Sequence, residues 1–190
     1  MVTDATEGGS GFWFESGHVA LDLSLSGGRE WRSRWERLHT PADLDAWLAE
    51  SSLDLSGIES TVRDLTAAHD LREGLWGLSQ AIASGKAPPE SAIEIVNAHA
   101  RRPALRRRFV VDGSAQWDQL CARAALATIA NAAIELLSTD INRSGLRRCE
   151  GERCHLLFVD TSPARRRRWC SMQRCGNRHK VRTHRAKHLR

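Results

Sequence analysis

The sequence lacks the features of a membrane or exported protein. It contains no tyrosine and only two methionines, and none of its apolar runs approaches the roughly 20 residues that cross a membrane. Residues 1–28 do not contain a basic start followed by an apolar stretch, so no secretory signal peptide is expected. We therefore expect a cytoplasmic protein whose five cysteines are not paired in disulfide bonds. Seven tryptophans and a large excess of arginine over lysine indicate a GC-rich bacterial source.

The sequence also lacks the common motifs of enzymes. It contains no GxGxxG fingerprint, no phosphate-binding loop, no nucleophile motif and no internal repeat. Closely spaced carboxylates, such as Asp43 with Asp45 or Asp64 with Asp70, are typical of solvated helix surfaces. We predict that the protein is not an enzyme and has no catalytic residues.

Charge is distributed unevenly along the chain. Residues 1–140 contain 13 Lys and Arg against 20 Asp and Glu, a net charge of −7. Residues 141–190 contain 15 basic and 3 acidic residues, a net charge of +12, so the whole basic character of the protein comes from its last quarter. A basic segment attached to an acidic body indicates a nucleic-acid contact surface, although charge runs are more often solvated tails.

Four of the five cysteines form two close pairs within this basic segment. The pairs follow a C-x4-C pattern and are separated by 15 residues, and their members are Cys149, Cys154, Cys170 and Cys175. Two such pairs, brought together by an intervening hairpin over residues 155–169, fit tetrahedral zinc. Because four thiolates are available, we predict one structural Zn2+ rather than a catalytic ion with an open position. His155 and His179 are close enough in sequence to replace a cysteine.

The pattern upstream predicts a mainly α protein with a minor β component. We place a helical domain at residues 1–140, with residues 1–10 disordered, and a zinc finger of a β-hairpin knuckle and a basic helix at residues 141–190. Helices are predicted from Thr40-Pro41, over Thr61–Ser84, from Pro88-Pro89-Glu90 and over Gln116–Ser138, and a strand over Arg106–Val111. The last of these helices places Cys121 in the core. His18–Leu25 fits a strand or a helix equally well.

The motif of the basic segment resembles a known family. Cys149-x4-Cys154-His-Leu-Leu-Phe-Val-Asp, Arg167-Arg168-Trp169-Cys170-Ser-Met and Cys175-Gly-Asn-Arg178 resemble the CGNR zinc finger of bacterial proteins. Upstream, His18–Leu25, Leu38-x2-Pro41-x2-Leu44-x2-Trp47-Leu48 and Asp70-Leu-Arg72 resemble the helical ABATE domain that accompanies this finger. The resemblance implies a stress-induced transcription regulator whose finger binds DNA. Members often carry Asn-Thr soon after the Leu-Asp-hydrophobic triplet, whereas this chain has Leu21-Asp22-Leu23-Ser24-Leu25-Ser26.

The basic residues of the finger are the candidate nucleic-acid contacts. A terminal helix that begins near Cys175 places arginines on one face, where they can read the major groove, while the arginine run before Trp169 suits phosphates. The candidates are Arg165, Arg166, Arg167, Arg168, Arg174, Asn177, Arg178, Lys180, Arg182, Arg185 and Lys187. Arg153, Arg168 and Arg174 could instead balance the thiolate charge, and Asn177 could instead lock the turn. Phe158 and Trp169 are expected to form the small core of the finger.

Three functions fit these residues. The first is a DNA-binding transcription regulator whose helical domain binds a small-molecule effector or forms a homodimer. The second is an RNA- or ribosome-associated zinc protein, which would use the same arginines. The third is a protein-interaction module whose basic tail contacts an acidic partner.

Overall fold

The computed structural model describes residues 11–152 and 154–188, apart from the side chains of Thr183 and residues 186–188. The helices are α1 (Val19–Ser24), α2 (Pro41–Glu50), α3 (Val62–Ala83), α4 (Glu90–Ala100), α5 (Ala122–Ser138), α6 (Asp140–Arg143) and α7 (Asn177–His188). Two antiparallel pairs of strands complete the fold: β1 (Arg106–Phe109) with β2 (Ala115–Asp118), and β3 (Leu146–Arg148) with β4 (Leu157–Val159). The predicted mainly α fold, with a small finger after a helical domain, is confirmed. The predicted disorder of residues 1–10 lies outside the described residues.

Side-chain caps define where two of the helices begin. The Thr40 hydroxyl accepts the Asp43 N–H, and the Asp43 carboxylate accepts the Thr40 N–H, so each satisfies a donor that the helix cannot. Thr61 and Asp64 repeat this capping box at the start of α3. The predicted starts of both helices are thus confirmed.

The apolar segment that fitted either a strand or a helix is the short helix α1. His18 caps it by accepting the Ala20 N–H through its ring. All six residues of α1 are buried, so the alternation of apolar residues reflects no exposed face and could not distinguish the two structures. This helix packs against α3 and α5 at the centre of the body.

The body core is a cluster of leucine and alanine side chains with one tryptophan. Helices α3 and α5 supply ten of its buried residues, and α1 and α2 supply three each. Helix α4 packs against both α3 and α5 and contributes Val96, while α2 packs against α3. Trp47 on α2 is completely buried and contacts Phe14 at 5.6 Å between ring centroids. Trp47 is therefore a core residue of the body.

The predicted helix over Gln116–Ser138 was wrong in its first six residues. Asp112-Gly113 reverses the chain, and residues 115–118 form β2, which pairs with β1 and places Trp117 opposite Arg107. Helix α5 begins only at Ala122, and Cys121 is an exposed N-cap residue rather than a core residue. Alanine-rich periodicity starts at Ala122, and the turn that precedes it outweighs the helix propensity of the residues between.

The finger lies directly on the body. Leu157 of β4 is buried together with Leu21 of α1 and with Leu136 and Leu137 of α5. The Val159 N–H donates to the Ser16 carbonyl at 2.7 Å, so the segment before α1 is hydrogen-bonded to β4. In the part of the chain that is described, no helix has the length and apolarity that a membrane span requires.

Candidate metal centre

The β3–β4 hairpin positions the first cysteine pair. Its strands pair in the register Leu146 with Val159 and Arg148 with Leu157. Just beyond the last pair, the Cys149 N–H donates to the Leu156 carbonyl at 2.9 Å. The loop of the hairpin thus carries both Cys149 and Cys154.

The hairpin was predicted between the two pairs, over residues 155–169. Its first arm is confirmed, because residues 157–159 form β4, but the prediction of a second arm after the turn was wrong. The chain from residue 160 to residue 169 forms no strand. Asp160, which is buried, accepts the N–H groups of Ser162 and Arg167 and closes a turn through its side chain. The hydrogen bond from Ser162 lowers the pKa of Asp160, because it favours the carboxylate. The backbone around the arginine run therefore forms this turn and does not pair with another strand.

A wide helical turn positions the second pair. Residues Met172–Gly176 form a π-helix, in which the Gly176 N–H donates to the Ser171 carbonyl at 3.0 Å. Helix α7 follows at Asn177, close to the predicted start near Cys175. Such π-turns recur at functional sites, and here the turn brings Cys175 back towards Cys170, with 3.7 Å between their sulfurs.

The four sulfurs form a single group with the spacing that zinc requires. All four Sγ atoms lie within 4.8 Å of one another, and the Cys154 and Cys170 sulfurs are 3.8 Å apart. A zinc ion with tetrahedral Zn–S bonds of about 2.3 Å holds its sulfurs about 3.8 Å apart. The donor set therefore fits the ion, and residues Cys149, Cys170 and Cys175 are buried while Cys154 is half-buried. A buried site with four protein ligands is typical of structural zinc.

Electrostatics at the sulfurs favour a cation. The Cys149 sulfur accepts N–H groups from Cys170 at 3.3 Å and from Gly151 at 3.4 Å. Hydrogen bonds from the Cys154 and Cys170 thiols lower the pKa of Cys149, and their interaction with Cys149 raises the pKa of both. Burial raises the pKa of Cys175. Because neighbouring sulfurs cannot all ionise alone, a divalent cation is what makes four thiolates compatible.

Gly151 leaves the space that the sulfurs need. A Cβ atom at this position would lie 3.0 Å from the Cys175 sulfur and 3.2 Å from the Cys154 Cβ atom. Either the ligand cysteines or the knuckle would have to move to accept a larger residue. The small residue in the C-E-G-E-R-C loop is therefore part of the metal site.

Aromatic rings cover the sulfur cluster. Phe158 is completely buried against Cys149, Cys170 and Cys175, and Trp169 packs on the same cluster while its ring contacts His179 at 5.4 Å. The expectation that Phe158 and Trp169 form the small core is confirmed. Trp13, which no sequence pattern predicted to lie here, also packs on this cluster from the other end of the chain.

The two histidines near the cysteines lie outside the sulfur group. His155 is exposed and contacts Trp31, and the His179 ring contacts Trp169. Among the residues that the structure describes, only the four cysteines form a group of three or more metal-ligating side chains. The all-cysteine set is therefore the better interpretation.

The candidate nucleic-acid residues separate into two groups. The guanidinium of Arg167 points inward: it donates to the carbonyls of Trp169 and Cys170 and lies 4.9 Å from the centre of the Phe158 ring. Arg174 stacks on the Trp13 ring at 3.6 Å. Both arginines therefore support the finger through these contacts; that Arg174 also balances the thiolate charge stays a prediction.

The remaining candidates lie at the surface. Arg165 donates to the Ser144 hydroxyl at 2.7 Å, Arg168 pairs with Glu150 at 2.6 Å, and Arg182 pairs with Glu152. The other exposed candidates are Arg166, Asn177, Arg178, Lys180 and Arg185. The side chain of Lys187 lies outside the described residues.

Comparison with known families agrees with this geometry. Residues 17–140 match the ABATE family, described as "putative stress-induced transcription regulator". Residues 146–188, which include all four cysteines, match the CGNR zinc finger. No curated protein matches the chain. The finger match and the sulfur geometry together fit one structural zinc ion, as predicted.

Proposed function

Because the chain belongs to the ABATE family and ends in a CGNR zinc finger, we propose that it is a DNA-binding transcription regulator whose finger contacts duplex DNA. In this proposal the protein has no catalytic activity, and its zinc has only a structural role. Ligand thiolates must stay reduced to hold the ion, so we place the protein in the cytoplasm.

The exposed face of α7 carries the proposal. Arg178, Arg182 and Arg185 are all exposed and follow one another at steps of four and three residues, which places them on one face of the helix. An α-helix fits the major groove, where arginine pairs with guanine through two hydrogen bonds. Asn177 is exposed in the first turn and offers the complementary pairing with adenine.

Arginines of the turn before α7 are suited to phosphates. Arg165, Arg166 and Arg168 are exposed on a turn that is held by Asp160 and followed by the ligand Cys170. Phosphate contacts supply affinity without sequence choice. The hydrogen bonds of Arg165 to Ser144 and of Arg168 to Glu150 are exposed, so a phosphate can replace them at small cost.

The helical body then regulates the finger. Because Leu157 is buried against α1 and α5, a rearrangement of these helices alters the surface on which the finger packs. We propose that a small-molecule effector, or pairing of two bodies into a homodimer, acts through this contact. Thermal-shift measurements with metabolites test the first mechanism, and light scattering tests the second.

The proposal is tested by duplex binding at increasing salt. The zinc-loaded protein should lose affinity steeply, with a slope of log K against log salt of about −0.9 for each phosphate contact. The triple variant Arg178→Gln, Arg182→Gln, Arg185→Gln should bind weakly and should lose its preference among duplex sequences, because it lacks the base-reading side chains. The matched control replaces three exposed arginines of the body, Arg106, Arg107 and Arg108, with glutamine, and should bind as the wild type does. Affinity that does not change with salt would contradict the proposal. Stronger binding to structured RNA than to duplex DNA would favour the RNA-associated alternative instead.

A further inference from the structure

An exposed cluster of tryptophans lies where the body meets the finger. It is centred on the 3-10 helix Glu30–Trp35, whose sequence E-W-R-S-R-W places two arginines between two tryptophans. Trp31 is 41% exposed, yet its ring contacts three others, with centroid distances of 5.0 Å to Trp35, 6.1 Å to Trp76 and 5.2 Å to His155. Three separate segments of the chain therefore converge on one partly exposed ring.

An arginine lies over the exposed rings. In a 3-10 helix, residues i and i+3 are superimposed, so Arg34 lies above Trp31. Its guanidinium is 5.7 Å from the Trp31 ring centre and 4.8 Å from that of Trp35. The Arg34 side chain is exposed, so its charge is available to a ligand at the same surface. The cluster combines flat aromatic area with positive charge.

A buried ion network holds the helix in place. Arg32 is only 5% exposed, pairs with Glu73 of α3 and donates to the Gly27 carbonyl at 3.0 Å. Arg72 is 3% exposed and makes two hydrogen bonds of 2.7 Å to Glu36, just after the helix. Buried ion pairs add little net stability, but removal of one partner is costly, so they favour one geometry. The orientation of Trp31 and Arg34 is therefore set before any ligand arrives.

The cluster is continuous with the finger. His155 directly follows the ligand Cys154, and its carbonyl accepts a hydrogen bond from Gln80 of α3 at 3.1 Å. The other end of the Gln80 amide accepts from Arg148 at 2.7 Å. Glu152 pairs with Arg182 of α7. Glu152 is also three residues before His155, so the Cα atoms of Glu152 and His155 are at most about 11 Å apart. A nucleic acid on α7 thus has the tryptophans within reach of its neighbouring nucleotides.

We propose that Trp31, together with Arg34 and His155, forms a stacking site for an unpaired nucleobase next to the duplex bound by the finger. The inference rests on the proposed function, because it assigns to the body a second contact with the same polyanion. Aromatic rings beside arginines bind single-stranded nucleic acid by stacking bases and attracting phosphates. Tryptophan clusters also bind quaternary ammonium groups. Here the guanidinium over the rings repels such cationic ligands and argues against that use.

The test compares three labelled DNAs: a blunt duplex, the same duplex with single-stranded overhangs of about six nucleotides, and a third whose overhangs are abasic. The wild type should bind the intact overhangs about 10-fold more tightly than the abasic ones, which carry the same phosphates. Trp31→Ala should abolish this preference and leave the affinity for the blunt duplex and the zinc content unchanged. Trp31→Phe should retain part of the preference.

Two further variants separate stacking from a structural role. Trp117→Ala is the matched control, because Trp117 also lies under an arginine, Arg107 at 4.5 Å, but on the β1–β2 hairpin. It should keep the full preference for intact overhangs. Arg34→Gln removes an exposed charge and no core contact, and should weaken binding to both overhang substrates.

The outcomes distinguish this inference from the proposed function. Equal affinity for intact and abasic overhangs, with tight binding of the blunt duplex, would overturn the stacking site alone. A Trp31→Ala variant that loses zinc or blunt-duplex affinity would show that the ring only supports the body–finger contact, and would also overturn it. Failure of the wild type to bind any of the three DNAs would overturn the proposed function. Tight binding of an acidic or proline-rich peptide at Trp31, with no preference among the DNAs, would assign the cluster to a protein partner.

Discussion

The body and the finger are stabilised in different ways. The core of the body contains some twenty buried apolar side chains, mostly leucine and alanine, drawn from five helices and their connections. Among the residues that the structure describes, the core of the finger has five buried members, and three of them are ligand cysteines. Leu156 and Phe158 alone cannot offset the conformational entropy of about forty ordered residues. Apolar burial therefore stabilises the fold of the body, whereas the metal ion stabilises the fold of the finger.

The difference in core composition corresponds to the difference in charge. The net charge of −7 over residues 1–140 and of +12 over residues 141–190 separates the protein into an acidic and a basic part. A segment that is mostly charged at its surface has few side chains left for burial. A metal ion solves this problem, because one site replaces many apolar contacts and leaves the arginines at the surface.

Loss of a zinc ligand should have the largest effect, and it should affect the two parts differently. Zinc binding contributes on the order of 10 kcal/mol to folding in structural sites. In Cys170→Ala we expect zinc content well below one per chain and loss of amide protection in β3, β4 and α7, while α3 and α5 stay protected. Hydrogen exchange with zinc quantitation measures both. Cys121→Ala, which removes an exposed cysteine, should behave as the wild type does. Protected α7 amides in Cys170→Ala would contradict the comparison.

Truncation of Leu157 tests the contact that joins the two parts. This finger residue is 2% exposed among body side chains, so Leu157→Ala should cost about 2–5 kcal/mol in free energy of unfolding. We also expect a single urea transition to separate into two. The finger would lose its apolar contact with the body, while the zinc ion would still stabilise the fold of the finger. Val181→Ala serves as control, since Val181 is 49% exposed and its truncation should cost under about 0.5 kcal/mol. A single transition with unchanged midpoint in Leu157→Ala would rule out the coupling.

Asp22 offers a pH-dependent test within the body. It is 4% exposed on α1, and burial raises its pKa from 3.8 to about 6, although the Ser16 N–H donates to its carboxylate at 3.1 Å. The folded state therefore binds the proton more tightly, and the protein loses stability from this group as the pH rises from about 4 to 6. Asp22→Asn should be more stable than the wild type at pH 7, by up to about 3 kcal/mol, and the difference should shrink below pH 6. Chemical denaturation of both proteins across this range measures it, and a difference independent of pH would refute it.

The smallest predicted effect concerns the exposed ion pair between Glu152 and Arg182. Exposed pairs contribute about 0–1 kcal/mol, so Glu152→Gln should change the free energy of unfolding by less than about 1 kcal/mol. It should raise affinity for duplex DNA several-fold, because it removes a negative charge beside the α7 face. Fluorescence anisotropy measures this, with Glu59→Gln on the body as the control of equal charge. An equal gain in both variants would mean that overall charge, rather than the pairing of Arg182, sets the affinity.

Short-range patterns in the sequence predicted the features that depend on neighbouring residues. The spacing of the cysteines is sufficient to identify the ligand set, because a tetrahedral ion restricts how close pairs can be arranged. The threonine caps of α2 and α3 also lie within four residues of the groups they satisfy. In both cases the local chemistry determines the structure.

Long-range contacts could not be predicted in the same way. Nothing in the arginine run indicates that Arg167 points inward, because that depends on the turn held by Asp160. The contact of Trp31 with His155 joins residues more than one hundred positions apart. The sequence did contain one signal for this cluster, the grouping of two tryptophans with three arginines over residues 29–35.

The segment Phe12–Phe14 has a consequence for any shortened form of the protein. Phe12 and Phe14 pack on the body cluster, while Trp13 between them packs on the sulfur cluster beneath Arg174. A chain trimmed to begin at residue 17, where the ABATE match starts, keeps every zinc ligand and yet uncovers both cores. Proteolytic nicking near these three rings would thus hasten metal release from a site more than 130 residues downstream.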